Sequence, residues 1–346
     1  MKVGMYYSNS DVRVEEMPIP DVGAGELLIK IKASGICGSD VMEWYRIKRA
    51  PLVLGHELTG EVAQVGKGVD KFSPGDRVFA IHHVPCEECL ECTKGHHTAC
   101  KEFQTINNFE PGGFSEYLKV SGKSVNTGVM KLPDSMAYDI GTFIEPLGTV
   151  LRGQRSVGLT PGDSVIVVGS GLSGLLHIKA AKALGAGTII SVDIEDSRLD
   201  AAKKAGATYV VKATEDVPGF LKSVNSGRLA DRVIVCAGAL GAVEQSLSLV
   251  ERGGTLLLFA VPKPGETIPV DFNGYWRNDI SIKTSYGSAP LDHFQAIELL
   301  KNKRISVSDM ITHRLAIDNI QEGFNLAAEG KNALKVIIEF PESSAE

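Results

Sequence analysis

The 346-residue sequence has no stretch long and apolar enough to span a bilayer, since runs such as Thr255 to Pro262 fall far short of the about 20 residues a membrane helix needs. The opening residues, MKVGMYYSNSDV, lack the charged region and apolar core of a secretory leader, so a cytoplasmic location is expected. No basic stripe offers a footprint for a phosphate backbone: net charge is −6, the isoelectric point is about 5.8, and Lys and Arg are scattered among acidic residues. Nucleic acid and membrane are therefore not expected partners. Neither an internal repeat nor a low-complexity tract is present, and only the final Ser343–Glu346 reads as frayed. What remains is a globular chain long enough for two cores of roughly 150 residues each.

The chain divides by pattern. From Met1 to about Ile140 it is Gly-rich, with short alternating segments such as 26–32 and 60–65 between Gly, Pro and Asp turns, which predicts a β-rich domain. Past Glu145 the pattern changes. An apolar run over 164–168 reads as a buried strand, 174–184 has helical periodicity, and 187–192 is a second strand, giving strand, helix and parallel strand. Strands at 207–211, 232–236 and 254–260 and a helix over 242–250 extend this into a doubly wound parallel sheet. Helices over 291–301 and 317–328 and a strand over 333–340 close the chain, the last strand returning to the first domain. The expected division is 1–150, 151–288 and a C-terminal return over 289–346.

Directly after the first strand of the second domain stands Gly169-Ser170-Gly171-Leu172-Ser173-Gly174. In that position the glycines serve a tight turn, close approach of backbone to a pyrophosphate, and close packing of helix on strand. Such a run by itself is compatible with an ordinary Gly-rich turn. Asp193, at the end of the second strand and 19 residues past Gly174, supplies the further context of a dinucleotide site. A carboxylate there accepts from a ribose hydroxyl and repels a 2′-phosphate, so NAD is expected rather than NADP. Arg198 is placed to cover the ribose or adenine, or else is a solvated residue at a helix start. Ala237 and Val261, after the later strands, complete the expected cofactor contacts. Cys236, following Val233-Ile234-Val235, reads as a core cysteine and not as a nucleophile.

Of six cysteines, four crowd into 86–100 as C-x2-C-x2-C-x7-C: Cys86, Cys89, Cys92 and Cys100. Four thiolates in one short loop suit a closed tetrahedral structural zinc. The rival, an iron–sulfur cluster of bacterial ferredoxin type, ends in x3-C-P, which this run does not. His96 and His97 interrupt the last spacing and read as bystanders. A second set of donors is dispersed: Cys37 in Gly35-Ile36-Cys37-Gly38-Ser39-Asp40, His56-Glu57 after Gly55, and Glu145 in Ile144-Glu145-Pro146-Leu147. A sulfur, a nitrogen and carboxylates can make a metal site with room for substrate, but each residue singly has a bland alternative.

Together these motifs resemble the zinc-containing medium-chain alcohol dehydrogenase family over essentially the whole chain, and its polyol and threonine dehydrogenase branch in particular. The resemblance implies an α/β fold with a GroES-like β-rich catalytic domain, formed from both ends of the chain, and a Rossmann NAD-binding domain. It implies Cys37, His56 and Glu57 as ligands of a catalytic zinc, with Glu145 a fourth ligand or a neighbour linked through water, so that two zinc ions per chain are expected. Asp40 is the expected carboxylate that fixes the His56 tautomer, and Ser39 is placed to pass the proton from the substrate oxygen. The expected reaction moves a hydride between a secondary alcohol, a polyol or sugar alcohol, and NAD, with a 3-hydroxy amino acid such as threonine as the alternative substrate. Many relatives carry a relay His where this chain has Met42, which cannot carry a proton; water, a cofactor ribose hydroxyl or Glu43 then has to replace it. That departure keeps open a non-catalytic sensor that binds zinc and NAD. Arg46, Lys48, Arg49 and Arg152 are candidates to read a phosphate or carboxylate on the substrate, although long cations are usually solvated. Relatives pair through the edge strand of the nucleotide domain, here 274–287, so a homo-oligomer, a tetramer or a dimer, is expected.

Overall fold

The computed structural model of the chain describes residues 1–331 and 333–340, so Ser343–Glu346 lies outside the described residues. The chain forms two compact units: Met1–Gly148 with the chain from Ser288 onward, and Thr149–Gly287.

The first unit is built on antiparallel strands. Leu27–Gly35 is central: it pairs with Glu57–Val65 along its length, with Tyr117–Val120 at its start and with Lys335–Glu339 at its end. Arg77–Ala80 and Val129–Lys131 extend the sheet on one side, and Ile311–Ala316 lies parallel to Lys335–Glu339 on the other. A smaller sheet of Lys2–Ser8, Asp11–Glu16 and Leu52–Val53 adjoins it. Leu27, Ile29, Ile31, Leu58, Val62, Phe114, Leu118, Phe324 and Ile338 belong to the buried cluster that these strands share. The C-terminal strand thus supplies the N-terminal sheet with a partner more than three hundred residues distant in sequence. The second C-terminal helix begins later than its periodicity suggests: Ile317–Asn319 is a 3-10 turn and the α-helix is Ile320–Glu329.

In the second unit six parallel strands, among the described residues, lie in the order Tyr209–Lys212, Ile189–Asp193, Val165–Val168, Ala230–Val235, Val250–Leu258, Ser281–Thr284. Numbered along the chain this is 3-2-1-4-5-6, the order of a dinucleotide-binding fold, whose ligand crevice lies where the order reverses, beyond the carboxyl end of the first strand. The strand Val165–Val168 is buried at every residue, as a central parallel strand covered on both faces has to be. The segment 274–287, expected as an edge strand, is strand only over Ser281–Thr284. Its first part belongs to the helix Phe272–Arg277, because Asp271 accepts from the Gly274 amide and caps a helix there.

Candidate metal centres and dinucleotide site

Four sulfurs converge in the 86–100 loop. Cys86, Cys89, Cys92 and Cys100 place their Sγ atoms within 4.8 Å of one another, none in a disulfide. The Cys89–Cys92 and Cys86–Cys92 separations are 3.5 and 3.9 Å. Tetrahedral thiolates about 2.3 Å from a zinc stand about 3.8 Å apart, so the donor set fits that ion. Backbone amides of Cys86 and Cys89 donate to Cys100 Sγ and Cys86 Sγ at 3.3 Å. Burial pushes the Cys100 thiol up, but the amides of Cys86 and Phe103 outweigh it and leave it at about 7. His96 and His97 do not join this group among the described residues.

The second cluster is assembled by strand pairing. Gly35 lies opposite Glu57 in the antiparallel register; Cys37 follows the first strand by two residues and His56 immediately precedes the second. Donor atoms of Cys37, His56 and Glu57 fall within 4.8 Å of one another. Asp40, fully buried, orders them: its Oδ2 accepts from the Cys37 amide at 3.0 Å and its Oδ1 faces His56 Nδ1 at 3.4 Å. A carboxylate at Nδ1 favours the proton on that nitrogen and leaves Nε2 with its lone pair for the cluster. Burial alone would push His56 down, but the charges of Asp40 and Cys37 hold it well above the ordinary range. Cys37, pushed up by burial, is in turn brought to about 7 by His56. The donor set therefore stabilises positive charge at its centre. Asp40 Oδ1 is met by His56 and Arg46, but the buried Glu57 Oε1 has no hydrogen-bond partner among the described residues. Orphaned buried carboxylate oxygens are costly unless a cation or a donor meets them, and a thiolate, an imidazole and a carboxylate are ligands zinc accepts.

Glu145, at the second position of the helix Ile144–Ser156, stands outside the three-atom group; burial raises its carboxyl to about 7 against the pull of His56. The Ser39 hydroxyl reaches Cys37 Sγ at 3.4 Å and accepts from Arg46 Nη2 at 3.1 Å. Met42 is exposed, and Glu43 Oε1 accepts from the Asn9 amide at 3.1 Å.

Two residues escaped the sequence reading. Lys335, wholly buried in the last strand, donates to Glu57 Oε2, and burial lowers it to about 8. Its signal was a lone Lys ahead of Val336-Ile337-Ile338 in a strand read only as closing the sheet. Gly35 clears room for this pair, because a Cβ there would stand 2.6 Å from both Glu57 Oε2 and Lys335 Cε. His82 packs its ring 5.0 Å from that of His56 and 3.9 Å from that of His83. Burial holds His82 well below the usual imidazole range, so this neighbour is neutral. The adjacent histidines just before the cysteine loop were the available signal.

In the second unit the glycine turn carries out three different tasks. Gly169 takes φ +97°, Gly174 has no room for a Cβ because it would meet the Gly169 carbonyl oxygen at 1.9 Å, and a Cβ on Gly171 would meet nothing within 4 Å. Space in front of Gly171, at the uncapped N-terminus of the helix Leu172–Ala183, is what a pyrophosphate needs; Leu172 and Ser173 form the first turn. Asp193 is fixed by the amides of Ser170 (2.7 Å) and Glu195 (3.0 Å), one on each oxygen, which leaves each oxygen a lone pair. Arg198 is half-buried in the helix Asp196–Ala205 that follows. A Cβ on Gly169 would touch Ala237, and one on Gly238 would approach the Val261 carbonyl oxygen at 2.8 Å, so Ala237 borders the turn and Val261 lies beside Gly238. Burial raises the Cys236 thiol, which keeps it unreactive.

A thiolate, imidazole and carboxylate cluster in one unit and a phosphate-cradling turn in the other are the equipment of a zinc- and nicotinamide-dependent dehydrogenase. Residues 23–134 match the alcohol dehydrogenase GroES-like domain and residues 174–302 the zinc-binding dehydrogenase domain. The chain is 33% identical to the sorbitol dehydrogenase of Bacillus subtilis (strain 168), covering 98% of this chain and 97% of that one. It is 34% identical to the L-threonine 3-dehydrogenase of Bacillus licheniformis, over 94% of each. The crystal structure of galactitol-1-phosphate dehydrogenase from Escherichia coli superposes with a TM-score of 0.88 at 29% identity, covering 98% of this chain and all of that one. The chain belongs to the zinc-containing alcohol dehydrogenase family.

Proposed function

We propose that this protein oxidises a secondary alcohol, a polyol or sugar alcohol, with NAD as the acceptor, and that it holds two zinc ions per chain. The observation that carries the reading is the group Cys37, His56 and Glu57, whose buried, unpartnered Glu57 Oε1 points to a cation. When bound there, zinc supplies the Lewis acidity that lowers an alcohol's pKa, and the nicotinamide supplies the hydride acceptor.

In this reading Cys37, His56 and Glu57 hold the catalytic ion, with Glu145 as fourth ligand or neighbour through water, and Asp40 keeps His56 in its ligating tautomer. Ser39 Oγ takes the carbinol proton. Because Met42 has no atom to carry it onward, water, a ribose hydroxyl or Glu43, whose Oε1 also accepts from the Asn9 amide, passes it to solvent. Cys86, Cys89, Cys92 and Cys100 hold the second zinc, which ties their loop down. Gly169, Gly171, Leu172, Ser173 and Gly174 cradle the pyrophosphate, Asp193 takes the ribose hydroxyls and disfavours a 2′-phosphate, and Arg198, Ala237 and Val261 border the cofactor. Phe272 and Trp276, about three-quarters exposed, and the exposed edge strand Ser281–Thr284 support a homo-oligomer, a tetramer in the first instance. The cytoplasm is the expected compartment. Similarity to L-threonine 3-dehydrogenases supports a hydroxy amino acid as the second substrate reading.

Zinc content per chain, followed by NAD and NADP reduction against polyols, sugar alcohols, hydroxy amino acids and simple alcohols, tests this. Two zincs with NAD-linked turnover on one class is the expected result. One zinc and no turnover would overturn it and leave the binding-protein alternative.

A further inference from the structure

Of the three cations between Cys37 and His56, the structure singles out one. Lys48 and Arg49 are exposed. The Arg46 side chain is only 14% exposed and is held in place: Nε donates to the Ser39 carbonyl at 2.9 Å, Nη2 donates to Ser39 Oγ at 3.1 Å, and the guanidinium lies over the Tyr45 ring at 4.7 Å. The same Ser39 Oγ is 3.4 Å from Cys37 Sγ, so one hydroxyl separates this guanidinium from the cluster. Arg46 Nη1 makes no hydrogen bond among the described residues.

Its charge is only partly balanced. Asp40 Oδ1 lies 3.7 Å from Nη2, and that carboxylate also serves His56 Nδ1 and the Cys37 amide. Glu43, at the other end of the short helix Glu43–Arg46, accepts from the Asn9 amide at 3.1 Å. A half-buried guanidinium held on the Ser39 hydroxyl beside the cluster, with its Nη1 unused, is a preformed charged donor for a carboxylate or a phosphate.

We propose that Arg46 is a specificity-determining residue that binds an anionic group on the substrate, a few bonds from the carbinol carbon. This rests on the dehydrogenase reading above and narrows its substrate to alcohols that carry a carboxylate or a phosphate. Lys48 and Arg49 take no such part.

The test uses the zinc-loaded full-length protein and matched pairs that share a carbinol but differ in charge: L-threonine against L-threonine amide, and galactitol 1-phosphate against galactitol. The anionic member of one pair is expected to have a kcat/KM higher by about tenfold or more, the worth of one charge-assisted hydrogen bond, and the preferred pair tells carboxylate from phosphate. Arg46→Gln should bring that ratio close to one, chiefly by raising KM for the anion, and Arg46→Lys should restore part of it. Lys48→Gln removes the same charge from the same segment and should leave the ratio in place. Turnover of both pairs with no preference for the anion overturns this proposal alone, as does a ratio that Arg46→Gln fails to move or that Lys48→Gln moves equally. Turnover of another alcohol of the wider panel with none of these four oxidised also overturns this proposal alone, whereas no turnover on any member of the panel, with zinc bound, overturns the dehydrogenase reading and this proposal with it.

Discussion

Cys86, Cys89, Cys92 and Cys100 come from a single fifteen-residue loop, whereas Cys37, His56 and Glu57 are brought together by the pairing of Leu27–Gly35 with Glu57–Val65, and Glu57 is steadied from the far end of the chain by Lys335. Apart from Cys92 and Cys100 the buried cluster there holds, among the described residues, one hydrophobic side chain, Phe103 from the helix Lys101–Thr105 that follows, so the loop owes its shape to whatever the four sulfurs hold. The mixed cluster owes its shape to a sheet that is already cored. In that setting the groups around a ligand matter as much as the ligand: Asp40, Arg46, His82 and Lys335 all bear on three donor residues. In the proposed reading the site closed by four like ligands serves stability, and the one with an orphaned carboxylate oxygen and a neighbouring hydroxyl serves chemistry.

Metal removal should break the comparison most visibly. Dialysis against a chelator should take the zinc of the mixed cluster first, with activity lost in step and the fold retained. Loss of the second zinc should be slower and should unfold the 86–100 loop, because a structural thiolate site binds with on the order of 10 kcal/mol. Zinc content, activity and protease sensitivity followed together would show the order, and simultaneous loss of both ions would erase the distinction. His56→Ala should next lower kcat/KM by about a thousandfold or more while one zinc per chain remains. A variant that keeps both zincs would remove His56 from the ligand set.

Lys335→Met strands the Glu57 carboxylate without its cation in a wholly buried place, so about 3–5 kcal/mol of stability should be lost, read by denaturant unfolding. A stable variant would show that the bound metal alone suffices to hold Glu57. The smallest effects separate the two regions by their glycines. Gly35→Ala forces a methyl against Glu57 and Lys335 and should cost about 1–3 kcal/mol together with zinc affinity. Gly95→Ala, in the cysteine loop, meets no atom but is strained at φ +81° and should cost about 1 kcal/mol with both zincs kept.

Much of this was legible before folding. The cysteine loop declares itself because all its ligands are neighbours in sequence, and the glycine turn because its tasks are local to one strand–helix junction. The buried run Val165–Val168 and the alternation of helices with strands gave the parallel sheet for the same reason. The edge strand was misread over 274–280 because the cap at Asp271 outweighs the pattern there. Lys335 was invisible because its meaning depends on a partner 278 residues away.

By itself, the sequence determined which atoms are available: four thiolates on a short loop, a thiol, an imidazole and carboxylates on strand ends, and a glycine turn with Asp193 behind it. Only the tertiary structure decided what surrounds them. It put Arg46 on the Ser39 hydroxyl while leaving Lys48 and Arg49 in water, set His82 against His56, and buried Lys335 on Glu57. The physical reason is that ligand type and local turns are encoded within a few residues, whereas burial and charge pairing are properties of strands that meet only when the sheet closes.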